Sequence, residues 1–218
     1  MTAPSPAGSA APLERRWRVG IVGILVCAAV LAVTWWLLER APNRLPAWEA
    51  DVFTAINGWP DGLRFVLWPI MQLGNFWVWL VGSLVALAIW RRPAPALTVA
   101  LATLLAWAGA KVVKDIVGRA RPAAYFPDVH LRDGAVPGDG FVSGHAAVAF
   151  ALATALAPWL RPRWLEVLAY ALATIVAVAR IFVGAHLPAD VIGGAALGVA
   201  CGLTARLAVG EPVDPPPA

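Results

Sequence analysis

Three short stretches of this chain place ionisable side chains at the edges of long apolar runs. Lys114 stands seven positions before Arg121-Pro122, Ser143-Gly144-His145 opens an apolar run, and Arg180 is followed by His186, Pro188 and Asp190. Charge at the edge of hydrocarbon is costly unless it pairs or faces water, which makes its presence a mark of function. Three cations and two imidazoles suit a phosphate ester. The cations neutralise the oxyanions, and an imidazole can attack phosphorus or move a proton.

On an unbroken helix Lys114 and Arg121 would share a face, about 10 Å apart. Gly118 and Pro122 predict that the helix stops first, so that Arg121 folds back and its guanidinium converges with the Lys114 ammonium on one oxyanion. Standing alone, these two could equally be cations snorkelling at a helix end. Ser143 suits an N-cap, whose free N–H groups and helix dipole attract an anion. His145, one step inside, is more than a cap requires. Pro188 suits the first helical position, which puts His186 just before a helix and Asp190 in its first turn. The carboxylate can then reach one ring nitrogen of His186, fix the tautomer and leave the other nitrogen with its lone pair. The pair reads as a nucleophile with its orienter.

The elements that must position these groups are apolar helices. The chain has 218 residues, 60% hydrophobic and 14% charged, with a mean hydropathy of +0.71, too apolar for an ordinary soluble domain. Six segments approach membrane-spanning length: Val19–Leu38, Phe76–Trp90, Ala94–Val117, Gly144–Leu160, Trp164–Phe182 and Pro188–Ala208. The fold class expected is therefore all-α and polytopic. Residues 1–18 form a cytoplasmic disordered tail, 19–208 the six-span domain and 209–218 a second disordered tail, as the Pro-rich compositions of Met1–Pro12 and Glu211–Ala218 suggest. The first span is too long for a signal-peptide core and reads as an uncleaved anchor. Trp48, Val52, Phe53 and Ile56 recur at helical spacing, which predicts an interfacial helix, either an anchor or a lipid-facing wall beside the site. Gly194, Gly198 and Gly202 predict close helix packing within the chain, with a homodimer face as the alternative use.

Arginines in short connections set the orientation. Arg15, Arg16, Arg18, Arg91, Arg92, Arg161, Arg163 and Arg206 fall on one side, expected to be cytoplasmic together with both termini. Trp17, Trp90, Trp159 and Trp164 form an inner belt and Trp35, Trp36, Trp77 and Trp79 an outer one, and the three charged clusters emerge on the outer face. The basic residues form no stripe, so the high isoelectric point of 9.7 does not indicate nucleic acid. Cys27 and Cys201 lie within apolar runs and read as structural thiols. No cluster has metal-ligand spacing, and no cofactor is expected. Asp128, His130, Arg132 and Asp133 in an outer loop could select a headgroup or simply be solvated.

Lys114-x6-Arg121-Pro122, then Ser143-Gly144-His145, then Arg180-x5-His186-x3-Asp190 resembles the three motifs of the type 2 phosphatidic acid phosphatase superfamily, lipid phosphate phosphatases related to vanadium haloperoxidases and glucose-6-phosphatase. The resemblance implies that Lys114, Arg121 and Arg180 bind phosphate, with Ser143 and the Gly144 amide. It implies that His186 attacks phosphorus to give a phosphohistidine, that Asp190 orients it and that His145 protonates the leaving group. Two positions depart from the family pattern: Val142 stands where proline is usual before the serine, and Ala179 where serine is usual before the arginine.

The expectation is a metal-independent phosphatase in a bacterial plasma membrane that cleaves a lipid phosphate or pyrophosphate at the outer leaflet. Polyprenyl pyrophosphate, phosphatidic acid and phosphatidylglycerol phosphate all present a terminal phosphate at that depth. A phosphotransferase using the same intermediate is the alternative, and a non-catalytic lipid-phosphate binding or transport protein a further one. A neutral His186 is required for attack, so activity should fall at acid pH.

Overall fold

The computed structural model describes residues 10–40, 45–134 and 137–211. Much of both expected tails, and Arg44 of the first outer loop, lie outside the described residues. The chain is all-α: α1 (Ala10–Glu39), α2 (Ala47–Asn57), α3 (Arg64–Met71), α4 (Val78–Trp90), α5 (Pro93–Val117), α6 (Gly144–Leu156), α7 (Trp164–Phe182) and α8 (Pro188–Val209) are joined by loops and single 3-10 turns. α1 starts at Ala10, ahead of its apolar run.

α8 packs against α1, α5 and α6, α4 lies on α5, and α7 lies on α6 with α2 and α3 at its flank. Small residues make this possible. Ala102, Ala106 and Ala110 on α5 and Ala147, Ala151 and Ala155 on α6 recur every fourth residue and are buried in one cluster. Without bulky side chains between them the helix axes approach closely. The glycine stripe of α8 is spent inside the chain. A Cβ on Gly194 would stand 2.5 Å from the Ser143 carbonyl oxygen, one on Gly198 would strike the Ala147 carbonyl, and one on Gly202 would stand 2.5 Å from Thr154 Cβ.

Outside that core the helices stay apolar. Val19, Val22 and Leu25 of α1, Val81 and Leu84 of α4 and Val167 of α7 are exposed, as expected where lipid replaces water. Among the described residues four helices are long and apolar enough to cross a membrane: those at 17–39, 93–124, 164–182 and 188–209. The other two expected spans are helical but short. α4 and α6 have 13 residues each, about 20 Å against a hydrocarbon core of about 30 Å. The α4 segment is preceded by Asp61–Gly74, bent from it by 83°, and α6 is prolonged by a 3-10 turn at Ala157–Trp159. Trp90 and Trp159 meet edge to face, 6.5 Å between centroids, which puts two indoles assigned to one belt at one end of the bundle.

α2 forms where the periodicity placed it, but its apolar stripe is divided. Phe53 is buried, whereas Trp48 and Val52 are exposed. The face turned toward α7 and α8 is Glu49, Phe53 and Asn57.

Candidate active site

α5 ends where the sequence says it must. Gly118 adopts φ 60°, a left-handed conformation suited to glycine, and its N–H caps the Lys114 carbonyl at 2.9 Å. The chain then turns, and Lys114 and Arg121 reach neighbouring carbonyls of the 138–140 loop, close enough to act on each other electrostatically. Lys114 Nζ donates to the Asp139 and Gly140 carbonyls at 2.5 and 3.0 Å. Arg121 Nε donates to the Gly138 carbonyl at 2.8 Å, and its Nη1 donates to the Ala185 carbonyl at 2.7 Å while lying 3.4 Å from His186 Nε2. Both cations are oriented by neutral acceptors.

Ser143 caps α6: its Oγ accepts from the Ala146 N–H at 3.5 Å. Its own N–H donates to the Asp190 carbonyl at 2.8 Å, which sets the start of α6 beside the start of α8. Two helix N-termini, each with a partial positive charge, thus lie side by side, and that of α8 is met by the Asp190 and Glu49 carboxylates. Gly74 closes the far side, since a Cβ there would stand 2.5 Å from the His145 carbonyl oxygen. The His145 ring shares its electrostatic surroundings with Arg180, His186, Arg121 and Lys114.

Arg180, at the end of α7, is 3% exposed. Its Nη1 donates to Asp133 Oδ2 at 3.0 Å and lies 3.3 Å from Met71 Sδ. Among the described residues its buried Nε has no acceptor. An unsatisfied donor on a buried guanidinium is costly, and an anion in the pocket would satisfy it. The turn after α7 depends on Gly184, at φ 76°, where a Cβ would stand 2.7 Å from the His130 carbonyl.

That turn delivers His186. Its Nδ1 lies 3.4 Å from Asp190 Oδ2, a long contact, and has no other partner among the described residues. A carboxylate only accepts, so the contact with Asp190 favours the tautomer with its proton on Nδ1 and its lone pair on Nε2, the nitrogen 3.4 Å from Arg121 Nη1. Burial pushes the His186 imidazole down to about 3; Asp190 opposes the shift, and Arg180 and Lys114 add to it. The ring is neutral at physiological pH.

Asp190 is the hub. Its Oδ2 accepts the Leu187 N–H at 2.9 Å, closing the first turn of α8 behind Pro188. Its Oδ1 accepts from Arg119 Nη1 at 2.7 Å. Arg119 also donates through Nη2 to Glu49 Oε2 at 2.6 Å, and Glu49 Oε1 accepts the Ala189 N–H at 2.8 Å.

Lys114, Arg121, Ser143, Gly144, His145, Arg180, His186 and Asp190 therefore meet at one end of the bundle. Glu49 and Arg119 join them unforeseen, and Asp133, read from the sequence as a candidate headgroup selector, joins them as the partner of Arg180. Arg119 was legible only as a second arginine two positions before Arg121, and Glu49 as a carboxylate on the same helix face as Phe53 and Asn57. The outer-loop group is not free. Arg132 donates to Asp61 Oδ1 and to the carbonyls of Asn57, Trp59 and Phe182 at 2.7 to 2.9 Å, and Asp133 holds Arg180. Of the two departures from the motifs, Val142 is fully buried and Ala179 sits in a cluster with Met71, Phe182, Val183 and Ala185. Cys27 and Cys201 are half-buried free thiols.

The chain is similar to several known proteins. It is 26% identical over 129 residues to an undecaprenyl-diphosphatase of Sulfolobus acidocaldarius, covering 59% of this chain and 62% of that one. It is 34% identical over 117 residues to a lipid A 4'-phosphatase of Bacteroides thetaiotaomicron, covering 46% of this chain and 51% of that one. Its matches thus span between half and two thirds of those relatives. Among solved structures it superposes on LpxE of Aquifex aeolicus with a TM-score of 0.66 and 28% identity, covering 73% of this chain and 95% of that one. A transmembrane PAP2-type phosphatidylglycerolphosphate phosphatase of Bacillus subtilis shares the fold, with a TM-score of 0.65, 18% identity and coverage of 84% and 94%. The PAP2 superfamily model matches residues 95–212, more than half of the chain and all three charged stretches, and the protein is a multi-pass membrane member of the PAP2 superfamily.

Proposed function

We propose that this protein removes a terminal phosphate from a lipid phosphate or pyrophosphate through a phosphohistidine on His186, without a metal, at the outer leaflet of a bacterial plasma membrane. The arrangement of His186 carries the reading: Asp190 stands at its Nδ1, while Nε2 and its lone pair face Arg121. Lys114, Arg121 and Arg180 take the phosphoryl oxygens, with the Ser143 hydroxyl and the Gly144 N–H at the start of α6. His186 Nε2 forms a bond to phosphorus as the bond to the lipid oxygen breaks, and His145 gives that oxygen a proton. Water then attacks phosphorus and gives a proton to His145, the N–P bond breaks with its electron pair returning to His186 Nε2, and inorganic phosphate leaves. Phosphoryl transfer needs positioning and charge neutralisation above all, and fixed cations with helix N-termini supply both. The six helical segments serve as six spans with both termini in the cytoplasm. Polyprenyl pyrophosphate, phosphatidic acid and phosphatidylglycerol phosphate are the substrates to try, since the relatives' names span diphosphate and monophosphate lipids.

Phosphate release from that panel in detergent with excess chelator tests the reading. Wild type should release phosphate and His186→Ala should not. Release from none of the lipids, equal release by the variant, or a requirement for added metal would overturn it.

A further inference from the structure

α2 lies outside the residues matched by the family model, yet it contributes a buried carboxylate. Glu49 is 0% exposed, Arg119 has 8% of its side chain exposed, and Asp190 is 0% exposed. A carboxylate on a surface helix ordinarily faces water, so complete burial requires a partner. Arg119 bridges the two acids. Its Nη2 lies 2.6 Å from Glu49 Oε2, and its Nη1 is divided between Asp190 Oδ1 at 2.7 Å and Glu49 Oε1 at 3.3 Å. Glu49 Oε1 also takes the N–H of Ala189, the residue before Asp190. It therefore fixes both the backbone and the cation next to Asp190.

We propose that Glu49 is a positioning residue for the reaction: through Arg119 it holds the Asp190 carboxylate against His186 Nδ1 and leaves that carboxylate enough charge to fix the nucleophile's tautomer. One guanidinium between two carboxylates leaves a surplus negative charge, and Asp190 is where it meets the ring. With Glu49 neutral, Arg119 pairs wholly with Asp190 and competes with His186 for it. The inference rests on the proposed role of His186 as nucleophile. It gives α2 a use beyond anchoring, since the helix supplies the outermost member of a chain running Glu49, Arg119, Asp190, His186.

Glu49→Gln keeps the shape and an acceptor for the Ala189 N–H while removing the charge. Its kcat should fall about tenfold or more, as for loss of a charge-assisted contact, with KM changed less than about threefold. The acid limb of its rate profile should move to lower pH, because a negative charge near the ring is gone. The groups facing His186 from the packed elements are Lys114 and Arg121 from the α5 side, His145 from α6, Arg180 from α7 and Asp190 from α8, and none of them changes in this variant. Glu49→Gln/Arg119→Gln restores the surplus charge on Asp190 and should recover the acid limb; a role confined to docking α2 would move neither profile. A readout without turnover separates this idea from its premise. The chain has three histidines, so ¹⁵N-histidine spectra of detergent-solubilised protein, with His186→Ala to assign the signal, report the His186 tautomer directly. Wild type should show the Nδ1–H form, and Glu49→Gln a shift toward mixed tautomers. Unchanged His186 shifts in Glu49→Gln overturn the inference whatever the rates are, whereas an active His186→Ala would overturn only the nucleophile reading.

Discussion

Replacing Asp190 with asparagine separates chemistry from folding at this site. The carboxylate meets His186 Nδ1 at 3.4 Å, Arg119 at 2.7 Å and the Leu187 N–H at 2.9 Å. Asparagine matches its shape, but only one of its ends accepts: with its carbonyl in the place of Oδ2 the Leu187 N–H and His186 Nδ1 keep a neutral acceptor, while its amide meets the Arg119 donor in the place of Oδ1. Glu49 and Arg119 remain a balanced pair at 2.6 Å, so no buried charge is stranded, and stability should fall by about 1–3 kcal/mol for the Arg119 donor that loses its acceptor. The chemistry is hit harder. A hydrogen bond to a charged group contributes roughly 1.5–3 kcal/mol, which at about 1.4 kcal/mol per decade is about 10- to 100-fold in rate. Losing the carboxylate that fixes a catalytic histidine's tautomer can reach roughly 10⁴-fold. We expect kcat of Asp190→Asn to fall by about 10²- to 10⁴-fold, measured as phosphate release beside a thermal melt in the same detergent. Arg119→Met is the converse: it strands two buried carboxylates and should cost about 3–5 kcal/mol of stability. Asp190→Asn turning over within about threefold of wild type, or losing rate only in proportion to folded protein, would refute the reasoning.

Arg121→Lys keeps the charge but cannot bridge the Gly138 and Ala185 carbonyls while facing His186, so kcat/KM should fall by about 10- to 100-fold in the same assay. Gly198→Leu puts a side chain into the α6 backbone at Ala147 and should lower stability by about 1–3 kcal/mol or more through overpacking, read as a lower melting temperature with a matching loss of folded protein on size exclusion. The pH profile follows from His186, whose folded value of about 3 lies below the ordinary ~6.5. Its contribution to stability is fully present above about 6.5, because the ring is neutral in both states there, and is lost progressively toward pH 3 as only the unfolded chain takes up the proton. Melts in detergent from pH 8 to 4 should therefore fall less steeply for His186→Gln than for wild type, and the acid limb of kcat/KM should lie below pH 6.5.

What the sequence made legible is local. Gly118 ends α5, Ser143 caps α6, and Pro188 with Asp190 opens α8, because each feature depends on a few neighbouring residues and on backbone rules that hold anywhere. The eight motif positions fall together for that reason: each stands at a helix end, and the ends are readable. Glu49 was not, because its partner Arg119 lies 70 positions away and nothing in an eleven-residue helix says which side will be covered. Hydropathy also overstated span length at α6, because it registers composition through the 3-10 turn after Leu156, whereas the short segment expected at Phe76–Trp90 becomes helical at Val78, after the bend.

The charges of the site are arranged rather than accumulated. Among the described residues, Arg119 is matched by Glu49 and Asp190, and Arg180 by Asp133, so these two guanidinium groups are largely compensated before any substrate arrives. Lys114 and Arg121 are different, since their hydrogen bonds go to carbonyls. A carbonyl fixes direction without cancelling charge, and the Asp190 and Asp139 carboxylates act on both cations only through space. The positive field left for a phosphate is thus concentrated on one ammonium and one guanidinium, beside the N-terminus of α6 and His186 Nε2, since the first N–H groups of α8 already go to the Asp190 and Glu49 carboxylates. Neutralising Arg119 or Arg180 should disturb structure first and binding second. Neutralising Lys114 or Arg121 should do the reverse, and thermal melts paired with phosphate competition on Lys114→Met and Arg180→Met would expose the opposite order if this division of labour were wrong.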